Sequence, residues 1–131
     1  MTFFFEKIGF YSIFVKGKNA EYLSKTLKME IVISKNNIPI RLTNERWLHI
    51  ITGHPEVTAY YDDILETIAE PDIIYEGSKG DLIAVSREIQ GTNKHIVVAY
   101  KETSENDGFI ITAYISKKLN SIRKREIIWK P

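Results

Sequence analysis

At 131 residues, with 44% hydrophobic and 27% charged positions, the chain has the length of one domain and the composition of an ordinary globular protein rather than a fibrous or disordered one. Area scaling lets a chain of this size bury roughly two-thirds of its surface, enough core to fold without staples. Cysteine is absent, which excludes a disulfide scaffold, a thiol nucleophile, a thiolate zinc site and an iron–sulfur cluster together, and leaves oxygen and imidazole chemistry. The net charge of +1 is unevenly spread: residues 61–76 carry six acids and no base, and residues 116–131 carry six bases against Glu126 alone. Basic side chains in that run, Lys117, Lys118 and Arg123 among them, serve either as a solvated face or as contacts to phosphate.

The apolar start, Phe3 to Phe5 and then Ile8 to Val15, is interrupted by Glu6 and Lys7 and lacks a basic leader. It is short of the roughly 20 residues that a membrane span needs, so neither export nor a membrane is expected, and the cytoplasm is the expected location. Phe3, Phe4, Phe5, Phe10, Tyr11 and Phe14 cluster without a sustained period, and the first 40 residues are the least legible third. A strand over 9–16, a turn at 17–19 and a helix over 20–28 are read there. Six aromatics among 14 residues exceed what a small core absorbs, so an exposed apolar patch is expected, with homo-oligomer formation or partner capture through it. Ile31-Val32-Ile33 and Ile38-Pro39-Ile40 flank Ser34 to Asn37 as a hairpin, and Pro39, unable to donate to a ladder, argues for an edge.

From residue 43 the signals sharpen. Thr43 or Asn44 caps a helix with Glu45 in its first turn, and Trp47, Ile50, Ile51 and His54 share one face. Pro55 suits the first turn of a second helix, with Tyr61, Ile64, Leu65 and Ile68 inward, ending before Pro71. The period then changes to two over 72–75, 82–89, 95–101 and 109–115, and 126–129 adds a short strand. The predicted fold is α+β, one domain over 1–131. In it, helices pack on one face of an antiparallel sheet of four or more strands, with the other face partly open and a core over 41–131.

No P-loop, dinucleotide, zincin or serine-hydrolase motif occurs. His49 and His54 are about 140° apart on a helix and do not form a zinc pair. His54, in line with the apolar stripe, reads as a packed or capping residue. His49 projects about 60° from Arg46, and an imidazole beside a guanidinium suits phosphate chemistry, one moving a proton while the other holds the anion. Strict alternation puts Arg87 with Ile83 and Val85, Lys101 with His95, Val97 and Ala99, and Thr112 with Tyr114. The cations are either surface groups whose stems cover the core or the lining of an anion-binding face.

The order Glu45-Arg46-Trp47-Leu48-His49-Ile50, His54-Pro55-Glu56, Pro71-Asp72-Ile73-Ile74, Val97-Val98-Ala99-Tyr100-Lys101 and Ile111-Thr112-Ala113-Tyr114 resembles the phage-borne nuclease-like families grouped with barnase, EndoU, the nuclease colicins and RelE, the BECR fold. The resemblance covers about residues 40 to 130. It implies helices preceding a four-stranded antiparallel sheet and a metal-independent endoribonuclease that serves as a toxin or effector. RNA is then the substrate, and an antitoxin or immunity protein a partner. Carried over by matching position, the active groups are His49, His54, Lys101, Thr112 and Tyr114. Arg46 and Arg87, joined by Lys117, Lys118 and Arg123, would hold phosphate. No cofactor and no metal are expected. The rival from another class is a non-catalytic RNA- or protein-binding module of the same fold.

Overall fold

The computed structural model describes residues 29–131. The strand, turn and helix expected over 9–28, and the aromatic patch with its role in self-association, lie outside the described residues. In chain order the elements are β1 (Met29–Ile33), β2 (Pro39–Thr43), α1 (Asn44–Gly53), a 3-10 helix (Pro55–Tyr60), α2 (Tyr61–Ala69), β3 (Ile73–Glu76), β4 (Leu82–Ile89), β5 (Lys94–Ser104), β6 (Asp107–Ser116), α3 (Asn120–Arg123) and β7 (Ile127–Trp129). All the strands join one sheet in the order β1-β2-β6-β5-β4-β3-β7. The fold is α+β, as its sequence pattern predicts. Among the described residues no helix is long and apolar enough to cross a membrane.

Three features correct the expected architecture. The sheet has seven strands and is mixed, because β2 runs parallel to β6 through Ile40 opposite Gly108 and Arg41 opposite Phe109. The β1–β2 hairpin belongs to the sheet, with Val32, Ile40 and Leu42 buried in the main core, so the core does not begin at residue 41. Pro39 is therefore tolerated because it opens β2 at its pairing with Ile33, and not because β2 is an edge. The hairpin is tied to β5 by Glu102, whose carboxylate accepts from Ser34 Oγ at 2.5 Å and from Asn36 Nδ2 at 2.8 Å.

The helical layer follows from the apolar spacing. Ile50, Val57, Ile64, Leu65 and Ile68 pack against Ile74, Ala84, Ile96, Val98, Tyr100, Ile110 and Ala113 of the sheet. Tyr61 is only half-buried, its ring meeting Trp47 edge-on at 4.8 Å. Pro55 starts a turn of 3-10 helix rather than the α-helix itself, since its ring suits a first turn but removes a donor. On the opposite face, expected to be partly open, Leu119 and Ile122 cover Tyr75, Val85 and Val97. The tight turns fall at the polar intervals: Gly91 (φ 78°) and Asn93 (φ 59°), between β4 and β5, take left-handed conformations, which glycine adopts for want of a Cβ and asparagine tolerates better than most residues.

Two bulges shift the faces of the strands. In β4 the register breaks between Val85 and Glu88, where the Ile96 amide donates to Ser86 Oγ at 2.8 Å instead of to a backbone carbonyl. In β5–β6 it breaks at Ala99/Tyr100, so that Ile110 and Ala113 both reach the helical core.

The parallel pair needs a residue without a side chain at its centre. A Cβ on Gly108 would stand 2.5 Å from Ile40 Cδ1 and 2.6 Å from the Lys101 carbonyl oxygen, the latter a backbone atom that cannot step aside cheaply. Gly108→Ala is accordingly expected to cost about 2 kcal/mol in thermal or urea unfolding. Gly53→Ala, whose Cβ meets nothing within 4 Å, should be neutral or stabilise by up to about 1 kcal/mol. Equal stability of the two variants would contradict the close approach of β2 to β6.

Candidate functional site

The site grows from the point where β2 parts from β6. Thr43, in extended conformation (φ −78°, ψ 156°), caps α1 by accepting from the Arg46 amide at 3.1 Å. The chain thus turns directly from strand into helix, and α1 lies along the part of β6 that β2 leaves unpaired. Arg46 Nη1 donates to the Ile111 carbonyl oxygen at 3.4 Å, and beyond the C-terminus of α1 the His54 ring stands 5.6 Å from the Tyr114 ring. Two motifs separated by sixty residues meet along this seam.

At its upstream end is a groove of about 660 Å³ lined by Arg41, Thr43, Glu45, Arg46, Leu48, His49, Thr52, Phe109 and Ile110. His49 is exposed in it beside Arg46, as their spacing predicts. Arg41 is held by Asp107, Nε to Oδ1 at 3.0 Å and Nη2 to Oδ2 at 3.2 Å, with its guanidinium carbon 5.6 Å from the Phe109 ring centre. The guanidinium pulls the Asp107 carboxyl below its ordinary value and is itself raised by that hydrogen bond. Arg41 and Phe109 were not among the candidates read from the sequence. The signal that could have found them is the hairpin, which places Arg41 one residue pair after Ile40 on a strand leading into the helical motif.

At its downstream end His54 is neither buried nor a side-chain cap. Only its backbone N–H closes the helix, donating to the Ile50 carbonyl oxygen, and Nδ1 stands 3.4 Å from Glu56 Oε2 in a half-exposed pair. The two groups are close enough to form an ion pair when the imidazole is protonated. Tyr114 is half-buried against the covered face of the sheet, and that burial raises its phenol above the ordinary value while nearby Arg125 pulls it down. At neutral pH its hydroxyl is a proton donor. Thr112 is half-buried two residues earlier on β6.

Other expected members stand elsewhere. Lys101 is paired across β5–β6 with Phe109 but does not line the groove. Arg87, displaced by the Ser86 bulge from the alternation that put it with Ile83 and Val85, borders a separate cavity of about 740 Å³ with Asp63 and Glu66 of α2 and with Glu70, which caps that helix. Arg123 lines a third pocket with His95 and Lys130, and Lys117 and Lys118 are exposed in the turn after β6. Among the described residues no group of three His, Asp or Glu side chains is placed to hold a metal ion.

Because Thr43 fixes the angle at which α1 meets β6, Thr43→Ala is expected to cost about 1 kcal/mol, with Thr43→Ser close to the parent. Amide exchange at Arg46 should accelerate in the alanine variant alone. Unchanged exchange would show that the cap does not hold the seam. Comparison with family models, curated proteins and solved structures gives no match to this chain.

Proposed function

We propose that this protein is a metal-independent endoribonuclease of the barnase, EndoU, colicin and RelE type, serving as a toxin or effector whose partner is an antitoxin or immunity protein. The observation that carries the reading is the meeting of the His54-Pro55-Glu56 and Thr112-Ala113-Tyr114 motifs at the seam between α1 and β6, next to the groove of Arg46 and His49.

The reaction suits such a site because RNA brings its own nucleophile. The 2′-oxygen forms a bond to the adjacent phosphorus, the bond from phosphorus to the 5′-oxygen breaks, and the products are a 2′,3′-cyclic phosphate and a 5′-hydroxyl. One proton leaves the 2′-hydroxyl and one reaches the 5′-oxygen, so the protein must supply a base, an acid and cations around the phosphorane. His54, with Glu56 beside it, takes the first proton. His49 returns the second. Arg46 holds the phosphate, Tyr114 donates a hydrogen bond to a phosphate oxygen, and Lys101 adds positive potential from the neighbouring strand.

The second reading is a non-catalytic module binding RNA or protein. Its protein-binding form is favoured by the net charge of +1 and by the neutralisation of Arg41 through Asp107, both of which lower the field on an RNA chain.

Incubation with total RNA in EDTA should yield fragments ending in 2′,3′-cyclic phosphate. His54→Gln and His49→Gln should each lower the rate by about a hundredfold or more with little change in melting temperature. Strict dependence on magnesium, or 3′-hydroxyl ends, would contradict the mechanism. RNA binding without cleavage would establish the second reading.

A further inference from the structure

We propose that Phe109 and Arg41 form a base-binding subsite that selects unpaired nucleotides beside the reactive phosphate. The inference deepens the ribonuclease reading and takes its substrate class from it. The groove is built differently from a phosphate clamp. Its walls include the phenyl ring of Phe109 and the side chain of Leu48, which at 52% exposure is the most exposed large apolar residue among those described. Leu48 sits one residue before His49 on α1 and Phe109 stands on β6, so apolar walls face the groove from the helix and from β6, while β2 contributes Arg41, the pairing partner of Phe109.

Arg41 is poorly placed to act as a phosphate ligand. Both Nε and Nη2 are spent on Asp107, which offsets the charge and holds the guanidinium carbon 5.6 Å from the centre of the phenyl ring. Asp107 itself is held by Thr103 Oγ1 at 3.3 Å. A guanidinium held in this way keeps Nη1 as a donor, and a cation held beside an aromatic ring is a platform for a flat ring that carries acceptors on its edge. A nucleobase has that shape. A base can use the platform only after leaving its pair, because the stacked faces of a duplex are occupied by neighbouring bases. His49 and Arg46 line the same groove, so a base seated on Phe109 brings its own phosphate towards the proposed reacting groups. Selection of the cleavage site is thereby separated from chemistry: Phe109 and Arg41 read the base, and His49, His54 and Tyr114 act on the backbone.

The test uses uncleavable RNA, in which 2′-O-methylation removes the nucleophile. Fluorescence anisotropy of the full chain would compare three probes of equal length: a single-stranded oligonucleotide, the same ribose-phosphate strand without bases, and a duplex. The parent should bind the base-bearing single strand about five- to a hundredfold more tightly than the abasic strand, the margin expected of one stacked base. The duplex should bind no better than the abasic strand. Phe109→Leu, which keeps an apolar side chain and removes the ring, should abolish the margin and leave abasic affinity as it was, with Phe109→Ala as a second variant and melting temperatures as the check on folding. Equal affinity of the parent for all three probes, an equal loss on base-bearing and abasic strands in both variants, or no binding to any strand would overturn the subsite. Failure of the subsite is distinguishable from failure of the reaction. A base-dependent margin in a protein that never cleaves RNA in EDTA leaves the subsite standing and removes the catalytic reading, while cleavage with no margin does the reverse.

Discussion

The parallel contact between β2 and β6 lasts for only two residue pairs, and everything of functional interest follows from where it stops. Gly108 allows the strands to approach at Ile40, where any larger residue would meet both that side chain and the Lys101 carbonyl. Immediately afterwards Thr43 takes the Arg46 amide and converts the strand into a helix. A strand that continued would have paired with β6 to its end and sealed its edge with backbone hydrogen bonds. A helix cannot, so the rest of β6 is covered by side chains, Arg46 on the Ile111 carbonyl and His54 on Tyr114. The seam is polar because a helix against a strand edge leaves carbonyls that must find donors.

Much of this order is legible in the sequence, and the exceptions have physical causes. The apolar stripes of α1 and α2, the two-residue period of β4 to β6 and the short β7 are local signals, and each falls close to its expected place. The register break at Ser86 is not local in that sense. A hydroxyl accepting the Ile96 amide replaces a ladder bond, and nothing in the alternation of Val85, Arg87 and Ile89 announces it, so Arg87 moves to another cavity. The parallel pairing of β2 with β6 joins segments more than sixty residues apart, which no short-range pattern encodes. Pro39 misled for a related reason: it marks a missing donor, and both an edge and a strand start meet that condition.

The site was partly visible for the same reasons. The angular relation of Arg46 to His49 is a property of one helix and is kept in the groove. The partnership of His54 with Tyr114 depends on how α1 lies on β6, and the apolar stripe alone placed His54 as a packed or capping residue. Glu56, two residues on, stands 3.4 Å from the half-exposed ring, a neighbour that the apolar stripe does not announce. Arg41 was hidden within a hairpin whose membership in the sheet the sequence pattern did not reveal. Charge separation along the chain was a poor guide to the site. The basic C-terminal run is spread over the turn after β6, over α3 and around a pocket distinct from the groove.

The central claim is that one ligand-binding surface runs along the seam of α1 and β6. The most direct measurement is a two-dimensional amide and histidine side-chain NMR titration with a ribonucleoside 3′-monophosphate, which resembles one end of a cleaved strand. The account predicts shifts at Arg41, Arg46, Phe109 and Tyr114 and in the His49 and His54 rings, with Arg87, Glu66 and Trp129 around the larger cavity unaffected. Shifts confined to that cavity, or the absence of any shift along the seam at saturating nucleotide, would contradict it.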